Sequence, residues 1–167
     1  MKSLFLLTII FLNPSWVLAL STDRDKPLHI ESDTLDIDDQ KGLSIYQGNV
    51  HVRQGSMHFL ADKITIDHPE KTVKKLLAIG QPAHFKQQQD NLEEVRATAK
   101  EIIWLTDQDL LFFRTKVHVW QSGHEFRGEK MEYNLKNDSL KAEKSPTGKQ
   151  RVHVIIQPEK NTPRSPI

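Results

Sequence analysis

Four short segments in this chain place a histidine between two apolar residues at nearly even spacing, and this repeat strongly limits the possible folds. The segments are Val50-His51-Val52, Ala83-His84-Phe85, Val117-His118-Val119 and Val152-His153-Val154, with histidines 33, 34 and 35 residues apart. In a strand, neighbouring side chains point to opposite faces, so the apolar pair of each segment shares one face. Units of this kind bury their apolar faces only against stacked neighbours. The sequence therefore predicts a stack of strand pairs.

A second series of segments, at 32–37, 61–66, 99–104 and 128–133, alternates with the first. In this series the apolar residues change from odd to even positions within one predicted strand: Phe59 and Ala61 occupy odd positions, whereas Ile64 and Ile66 occupy even ones. A strand that changes its inward phase must bulge or bend. We therefore expect two facing sheets connected by bent strands. The expected bends are at Ser32, Ala61, Ala99 and Gly128.

Turn-forming residues separate the predicted strands. They cluster at 38–42, 67–71, 106–109 and 134–138, in stretches rich in Asp, Asn, Gly and Pro. No segment favours a long helix, and 90–106 fits a loop followed by a strand better than a helical period. We predict an all-β chain of repeated antiparallel strand pairs, with a single domain over 28–157 that is open at both ends.

The two ends of the chain differ from the rest in composition. Nine apolar or small residues at 4–12 follow Lys2, and small residues occur at Ala19 and Ser21, as is typical of a secretory signal peptide. We expect a signal peptide at 1–19, with cleavage after Ala19 or alternatively after Ser21, and a short lead at 20–27. Residues 158–167 are rich in Pro and poor in apolar side chains, and we expect a disordered tail there.

Composition argues against nucleic acid as a partner and against catalysis. Without Lys2 the 23 basic residues become 22, equal to the 22 acidic ones, so the predicted mature chain has no net charge. There is no cysteine, and no nucleophile, phosphate-binding or metalloprotease motif is visible. We expect neither an enzyme nor a cofactor. The repeated histidines could form a metal column, but each one is predicted to face solvent and no carboxylate recurs beside them, so no metal site is predicted.

Several segments have a characteristic sequence, order and spacing: KPLHIESD at 26–33, QGNVHVRQG at 47–55, ADKI at 61–64, IGQPAHF at 79–85 followed by QDN at 89–91, and GEKM at 128–131. In these segments the chain resembles the OstA-like family of periplasmic lipopolysaccharide transport proteins. The resemblance covers nearly all of the predicted mature chain. One departure is Thr115-Lys116, where the first repeat has Gly48-Asn49 before its apolar-histidine segment. It puts only the local turn in doubt.

The resemblance implies a β-jellyroll that binds lipopolysaccharide through its lipid A moiety and carries it from the inner to the outer membrane. It implies lipid-facing roles for Leu28, Ile30, Phe85 and Trp104, and the inward phase of the strands extends this lining. The full predicted lipid-binding set is Leu28, Ile30, Leu35, Ile37, Val50, Val52, Ile64, Ile66, Phe85, Ile102, Trp104, Val117, Val119, Met131 and Tyr133.

The terminal strands are the predicted partner interfaces, because an exposed strand edge accepts another strand. Their residues are Leu28, His29, Ile30, Glu31 and Ser32 at one end and Val152, His153, Val154, Ile155 and Ile156 at the other. The resemblance implies an inner-membrane LptC-like component at the N-terminal edge, an outer-membrane LptD-like translocon at the C-terminal edge, and end-to-end self-association in the periplasm.

Two alternatives stay open from the sequence. In one, the inward residues form an ordinary closed core and the chain is a β assembly module that binds no lipid. In the other, the N-terminus is retained and the chain is a membrane-anchored LptC-like component of the same fold.

Overall fold

A computed structural model describes residues 23–89, 93–144 and 151–158, and within these ranges the chain is built almost entirely of strands. Three short 3₁₀ turns, Asp23–Asp25, Pro69–Lys71 and Thr106–Gln108, are the only helical segments in the described ranges. None of the helical segments described could cross a membrane. The strands are β1 Leu28–Glu31, β2 Thr34–Asp38, β3 Leu43–Gln54, β4 Met57–Asp67, β5 Lys75–Gln88, β6 Glu94–Leu105, β7 Leu110–Gln121, β8 His124–Asn134, β9 Ser139–Glu143 and β10 His153–Ile155.

The ten strands form one antiparallel sheet. Six long strands, β3 to β8, pair in chain order and make up its centre. At one end β1 and β2 both pair with β3, and at the other end β9 and β10 both pair with β8. Each end of the stack therefore has two short edge strands, one beside each half of the long strand next to it.

Every long strand bends near its middle, where the pairing register is interrupted. The interruptions fall between 47 and 50, 60 and 63, 79 and 83, 98 and 101, and 114 and 117. The bends fold the sheet into two layers. Layer 1 contains β1, β10 and the segments 50–54, 57–60, 83–88, 94–99, 117–121 and 124–128. Layer 2 contains β2, β9 and the segments 43–47, 63–67, 75–79, 101–105, 110–114 and 130–134.

Left-handed backbone conformations produce two of these bends. In β3, Gly48 and Asn49 have φ of 79° and 45°, and in β7 Thr115 and Lys116 have φ of 66° and 56°. The two bends thus share one conformation although only the first contains glycine. At Gly48 a side chain is also excluded sterically, since a Cβ there would lie 2.2 Å from the Asp33 carboxylate.

The apolar core lies between the two layers. Phe59 of layer 1 stacks on Trp104 of layer 2, with ring centroids 5.8 Å apart, and Phe85 approaches Phe113 at 6.0 Å. All four side chains are buried. These contacts show that the layers face each other and share one core.

The predicted all-β jellyroll of antiparallel strand pairs is confirmed. The two facing sheets expected from the phase changes are the two layers of one continuous folded sheet, because the long strands run through the bends without ending. The four predicted turn clusters coincide with chain reversals. The signal peptide with its cleavage sites, the first residues of the lead, and the tail after Pro158 lie outside the described residues.

Candidate lipid-binding site

The interior between the layers is apolar along the whole stack. Eleven of the fifteen predicted lipid-binding residues lie there with at most 2% of their surface exposed. They are Val50, Val52, Ile64, Ile66, Phe85, Ile102, Trp104, Val117, Val119, Met131 and Tyr133. Side chains fill the middle of the interior, so an acyl chain could occupy it only if the layers moved apart.

The first end of the interior opens to solvent at β1 and β2. Leu28 and Ile30 on β1 are partly buried against the core. Leu35 and Ile37 on β2 pair with Tyr46 and Ser44 of β3 and continue the inner row of layer 2. Their side chains are 53% and 51% exposed. The predicted lining therefore reaches the edge of the sheet as an uncovered apolar surface.

The second end opens in the same way at β9 and β10. On β9, Leu140 pairs with Tyr133 and packs partly against the core. On β10, Val154 pairs with Phe126 in the inner row of layer 1 and is 44% exposed. Ile156, just beyond the strand, is 72% exposed. Both ends of the stack thus present apolar residues next to edge strands.

Of the predicted interface residues, Leu28 to Glu31 form β1, and Ser32 lies in the break between β1 and β2, which pair with the two halves of β3. At the other end only His153 to Ile155 form a strand, so β10 is shorter than the predicted segment of Val152 to Ile156. The described part of the chain gives each of the four edge strands a partner on one side only. Their backbone groups on the other side are available to a further strand.

Opposite the bends, the tips of the two layers meet along a side that we call the mouth. Near the second end a buried Gln89 Nε2 of layer 1 donates a hydrogen bond to Tyr133 Oη of layer 2 at 2.8 Å, and Tyr133 donates to Asp138 at 2.9 Å. Burial, together with the Asp138 carboxylate, raises the pKa of the Tyr133 hydroxyl. The hydroxyl therefore stays protonated: it accepts from Gln89 across the two layers and donates to Asp138 in the turn that follows its own strand.

The outer face of layer 1 carries the repeated histidines, as predicted. His51 and His84 occupy the row that begins at Glu31 and continues to His118 and His153. His51 Nε2 lies 3.3 Å from His58 Nδ1. Even so, no group of three potential metal ligands comes together anywhere in the described ranges.

Burial, and secondarily neighbouring groups, shift the pKa of two histidines on this outer face. Burial, with the positive charges of His51, Lys86 and Arg53, lowers the pKa of His58. Burial lowers the pKa of His118 as well, although its hydrogen bond to Glu125 acts in the opposite direction.

Sequence reasoning missed part of the interior and half of the edges. Met57, Phe59, Leu76, Leu111 and Phe113 are as buried as the predicted lining. Their signal was available, since each alternates in phase with a predicted residue of the same or a paired strand. The edge strand β9 was also missed, because Ser139 to Glu143 directly follow a turn and contain only two apolar residues.

Comparison with known proteins gives this arrangement a family. A family model described as "LptA/(LptD N-terminal domain) LPS transport protein" matches residues 29–139. The lipopolysaccharide export system protein LptH of Pseudomonas aeruginosa is 29% identical over 89% of this chain and 89% of its own length. LptA of Haemophilus influenzae is 32% identical over 94% of this chain and 91% of its own, and LptA of Escherichia coli K12 is 31% identical over 83% and 75%.

A solved structure agrees with the sequence relatives. The crystal structure of LptH, described as the LptA-homologous periplasmic component of the lipopolysaccharide transport device of P. aeruginosa, superposes with a TM-score of 0.76 at 27% identity. It covers 82% of this chain and 99% of the LptH chain. The family match spans the folded sheet from β1 to the start of β9. The chain therefore belongs to the family of LptA and LptD N-terminal-domain lipopolysaccharide transport proteins.

Proposed function

We propose that this chain carries lipopolysaccharide across the periplasm by holding its lipid A moiety between the two layers. The observation that carries the proposal is the apolar inner surface, which continues from the uncovered Leu35 and Ile37 at one end to the uncovered Val154 at the other. The relatives named above are export-system proteins, and LptH is described as periplasmic. A predicted signal peptide at 1–19, cut after Ala19 or Ser21, supports the same compartment.

The energetics of the cargo explain why such an interior is needed. Exposing a dozen methylenes to water costs about 10 kcal/mol at about 0.8 kcal/mol each. A lipid with several acyl chains therefore does not cross an aqueous compartment unaided. An interior lined by the fifteen predicted residues would remove this cost, while the sugars stay in water.

The layers are built in a way that allows them to separate. The hydrogen bonds of the sheet run within each layer, and the bends connect the layers on one side. On the mouth side, a few polar contacts between described residues join the tips, such as Gln89 with Tyr133. Separation about the bends would thus break contacts at the mouth and in the core. The backbone hydrogen bonds within each layer would stay intact.

We further propose that the chains join end to end. The two edge strands at each end would add to those of a neighbour, and the uncovered apolar residues would meet to make one continuous interior. In this arrangement the β1 and β2 end receives an LptC-like component or a second copy, and the β9 and β10 end receives a second copy or an LptD-like translocon.

Tryptophan fluorescence tests the lipid-binding proposal with a matched pair of variants. Without the signal peptide the chain has Trp104, in the interior, and Trp120, which lies on the outer face with its ring centroid 3.6 Å from that of His118. The variant Trp120→Phe reports on Trp104 alone, and Trp104→Phe reports on Trp120 alone. We expect lipopolysaccharide to shift the emission of the first variant and not the second.

The alternative is that the tightly filled interior is a permanent core and the chain is an assembly module. It predicts that neither variant responds to lipopolysaccharide while the chain still associates. A response confined to Trp120 would also contradict the proposed site.

A further inference from the structure

A cavity of about 380 Å³ opens at the mouth near the first end of the stack. Its lining includes the apolar Leu28, Val73 and Trp104, the cations Arg24 and Lys71, which we call the cationic rim, and Asp107, whose carboxylate is paired with Lys74. Its volume is in the range of ligand pockets in proteins. Because Trp104 also stacks on Phe59, the cavity borders the buried interior.

Two adjacent residues of the N-terminal lead, Asp23 and Arg24, close this part of the mouth, and we call the pair the clasp. On layer 1, the Asp23 carboxylate accepts hydrogen bonds from the Ser56 backbone N–H at 2.8 Å and from Ser56 Oγ at 2.6 Å. On layer 2, the Arg24 guanidinium donates to Asp109 at 2.9 Å and to the Thr106 carbonyl. The clasp therefore joins the tips of the two layers across the cavity.

The local sequence is suited to this contact. A Cβ at Gly55 would lie 2.0 Å from Asp23 Oδ1, so glycine is what lets the lead approach the β3–β4 turn. Gln54 Nε2 also holds the lead in place, because it donates hydrogen bonds to the carbonyls of Arg24 and Lys26. The ion pair of Arg24 with Asp109 is partly exposed, and such pairs contribute little to stability. A ligand that offers an anion can therefore displace it.

Two features of the cavity indicate the chemistry of its ligand. Part of its lining is apolar, formed by Leu28, Val73 and Trp104. Lys71 makes no ion pair with any residue of the described ranges, and the Arg24 guanidinium donates to Asp109 and to the Thr106 carbonyl. An apolar lining beside two cations fits one acyl chain attached to an anionic head group.

We propose that the cavity between Arg24, Lys71 and Trp104 is a side opening that admits an acyl chain of an anionic lipid to the interior, with the clasp as its cover. This inference rests on the proposed function and adds a route and a gate to it. The chain would enter over Leu28 and Val73 as the anionic head displaces Asp109 from Arg24.

Nitroxide-labelled stearate and its neutral methyl ester test the proposal, because a nitroxide quenches a tryptophan that it contacts. All measurements use the mature chain with Trp120→Phe, so that only Trp104 reports. We expect saturable quenching by stearate and at least threefold weaker binding of the ester. Lys71→Gln should weaken stearate binding at least threefold and leave the ester unchanged.

Asp109→Asn tests the clasp itself. Asp109 has φ of 55°, a conformation that asparagine tolerates, so the variant keeps the turn and loses only the charge that holds Arg24. We expect quenching by stearate to become at least threefold faster. Glu143→Gln, which breaks the exposed ion pairs of Lys130 and Lys141 at the opposite end, is the matched control and should not change the rate.

The outcomes separate this inference from the proposed function. If lipopolysaccharide shifts Trp104 emission but stearate does not quench it, or Asp109→Asn leaves the rate unchanged, the side opening is wrong and the interior site stands. If stearate and its ester bind equally, the cationic rim plays no part and the inference is overturned. If lipopolysaccharide itself does not shift the emission of Trp104, the proposed function is contradicted, and with it this inference.

Discussion

Phe59 and Trp104 stack with their ring centroids 5.8 Å apart, although Phe59 belongs to layer 1 and Trp104 to layer 2. The contact joins parts of the sheet that are not hydrogen-bonded neighbours, since β5 lies between β4 and β6. It exists only because the long strands bend. The pair therefore reports on the closeness of the layers.

Removing the Phe59 ring should destabilise the fold strongly. We expect Phe59→Ala to lower the free energy of unfolding by about 3–5 kcal/mol, because a buried aromatic side chain leaves a cavity in the core. Its neighbour Leu60 points to the outer face and is 46% exposed, so Leu60→Ala should cost less than about 1 kcal/mol. Chemical denaturation of both variants makes the comparison. Equal losses would show that the two faces are wrongly assigned.

A charge on the inner row of β2 should weaken end-to-end association. Ile37 is 51% exposed, so Ile37→Asp should leave the fold intact while placing a carboxylate where a neighbouring chain would bury the side chain. Losing the burial of one isoleucine, about 1.5–3 kcal/mol, weakens association about tenfold or more. Sedimentation velocity over a concentration series measures this change.

Leu60→Asp is the control for this prediction, since Leu60 is a similarly exposed apolar residue on β4, a strand that is paired on both sides. It should leave association unchanged. Equal weakening by both variants would argue for nonspecific contacts in place of the proposed joint.

The stability of the fold should decrease as the solution becomes acidic, in part through His58. Its pKa is lowered by burial and by His51, Lys86 and Arg53, while Asp23 acts in the opposite direction. The unfolded chain therefore binds more protons than the folded one, and stability is lost as the pH falls through about 6.5, the ordinary histidine value, toward the lower folded pKa.

The melting temperature of His58→Gln should consequently fall less than that of the parent chain between about pH 7 and pH 5. Thr98→Gln, a change at a non-titrating outer position, should keep the parent's pH dependence. If His58→Gln retains the full decrease, other groups are responsible for it.

A glycine in place of Thr115, in the bend of β7, should stabilise the fold. Thr115 has φ of 66°, and a left-handed conformation costs a residue other than glycine about 1–2 kcal/mol. Part of this gain is offset by the greater flexibility of glycine in the unfolded chain, so we expect Thr115→Gly to stabilise by about 0.5–1 kcal/mol. Thr98→Gly, within an extended strand, should instead destabilise by a similar amount. Thermal and chemical denaturation check both signs.

The sequence allowed the strands, turns and several bends to be predicted because alternation directly reflects which face of a strand is buried. Ala61, Ala99 and Gly128 lie at or within one residue of interruptions in the register, where the apolar phase changes. The likeness of the Thr115-Lys116 bend to the Gly48-Asn49 bend was not predictable, because threonine and lysine rarely adopt a left-handed conformation.

The clasp and the edge positions of β2 and β9 were not predictable from the sequence, for a different reason. Arg24 and Asp109 are 85 residues apart, and no periodic pattern connects an N-terminal lead to a turn in layer 2. The exposure of Ile37 depends on β2 being the last strand of its layer, which follows from the order of the strands in space. The lining and the open ends were therefore predicted from the sequence, but the uncovered position of β2 and the presence of β9 required the structure.

Site-specific photocrosslinking to lipopolysaccharide tests the central claim most directly. Phe85 and His84 are neighbours on β5 with opposite orientation, Phe85 buried between the layers and His84 exposed on the outer face. An aromatic photoreactive residue placed at each position in turn, in cells that export the chain, samples the two faces of one strand. We predict a lipopolysaccharide adduct from position 85 and none from position 84. Adducts from position 84 alone, or from neither position in a folded chain, would contradict transport through the interior.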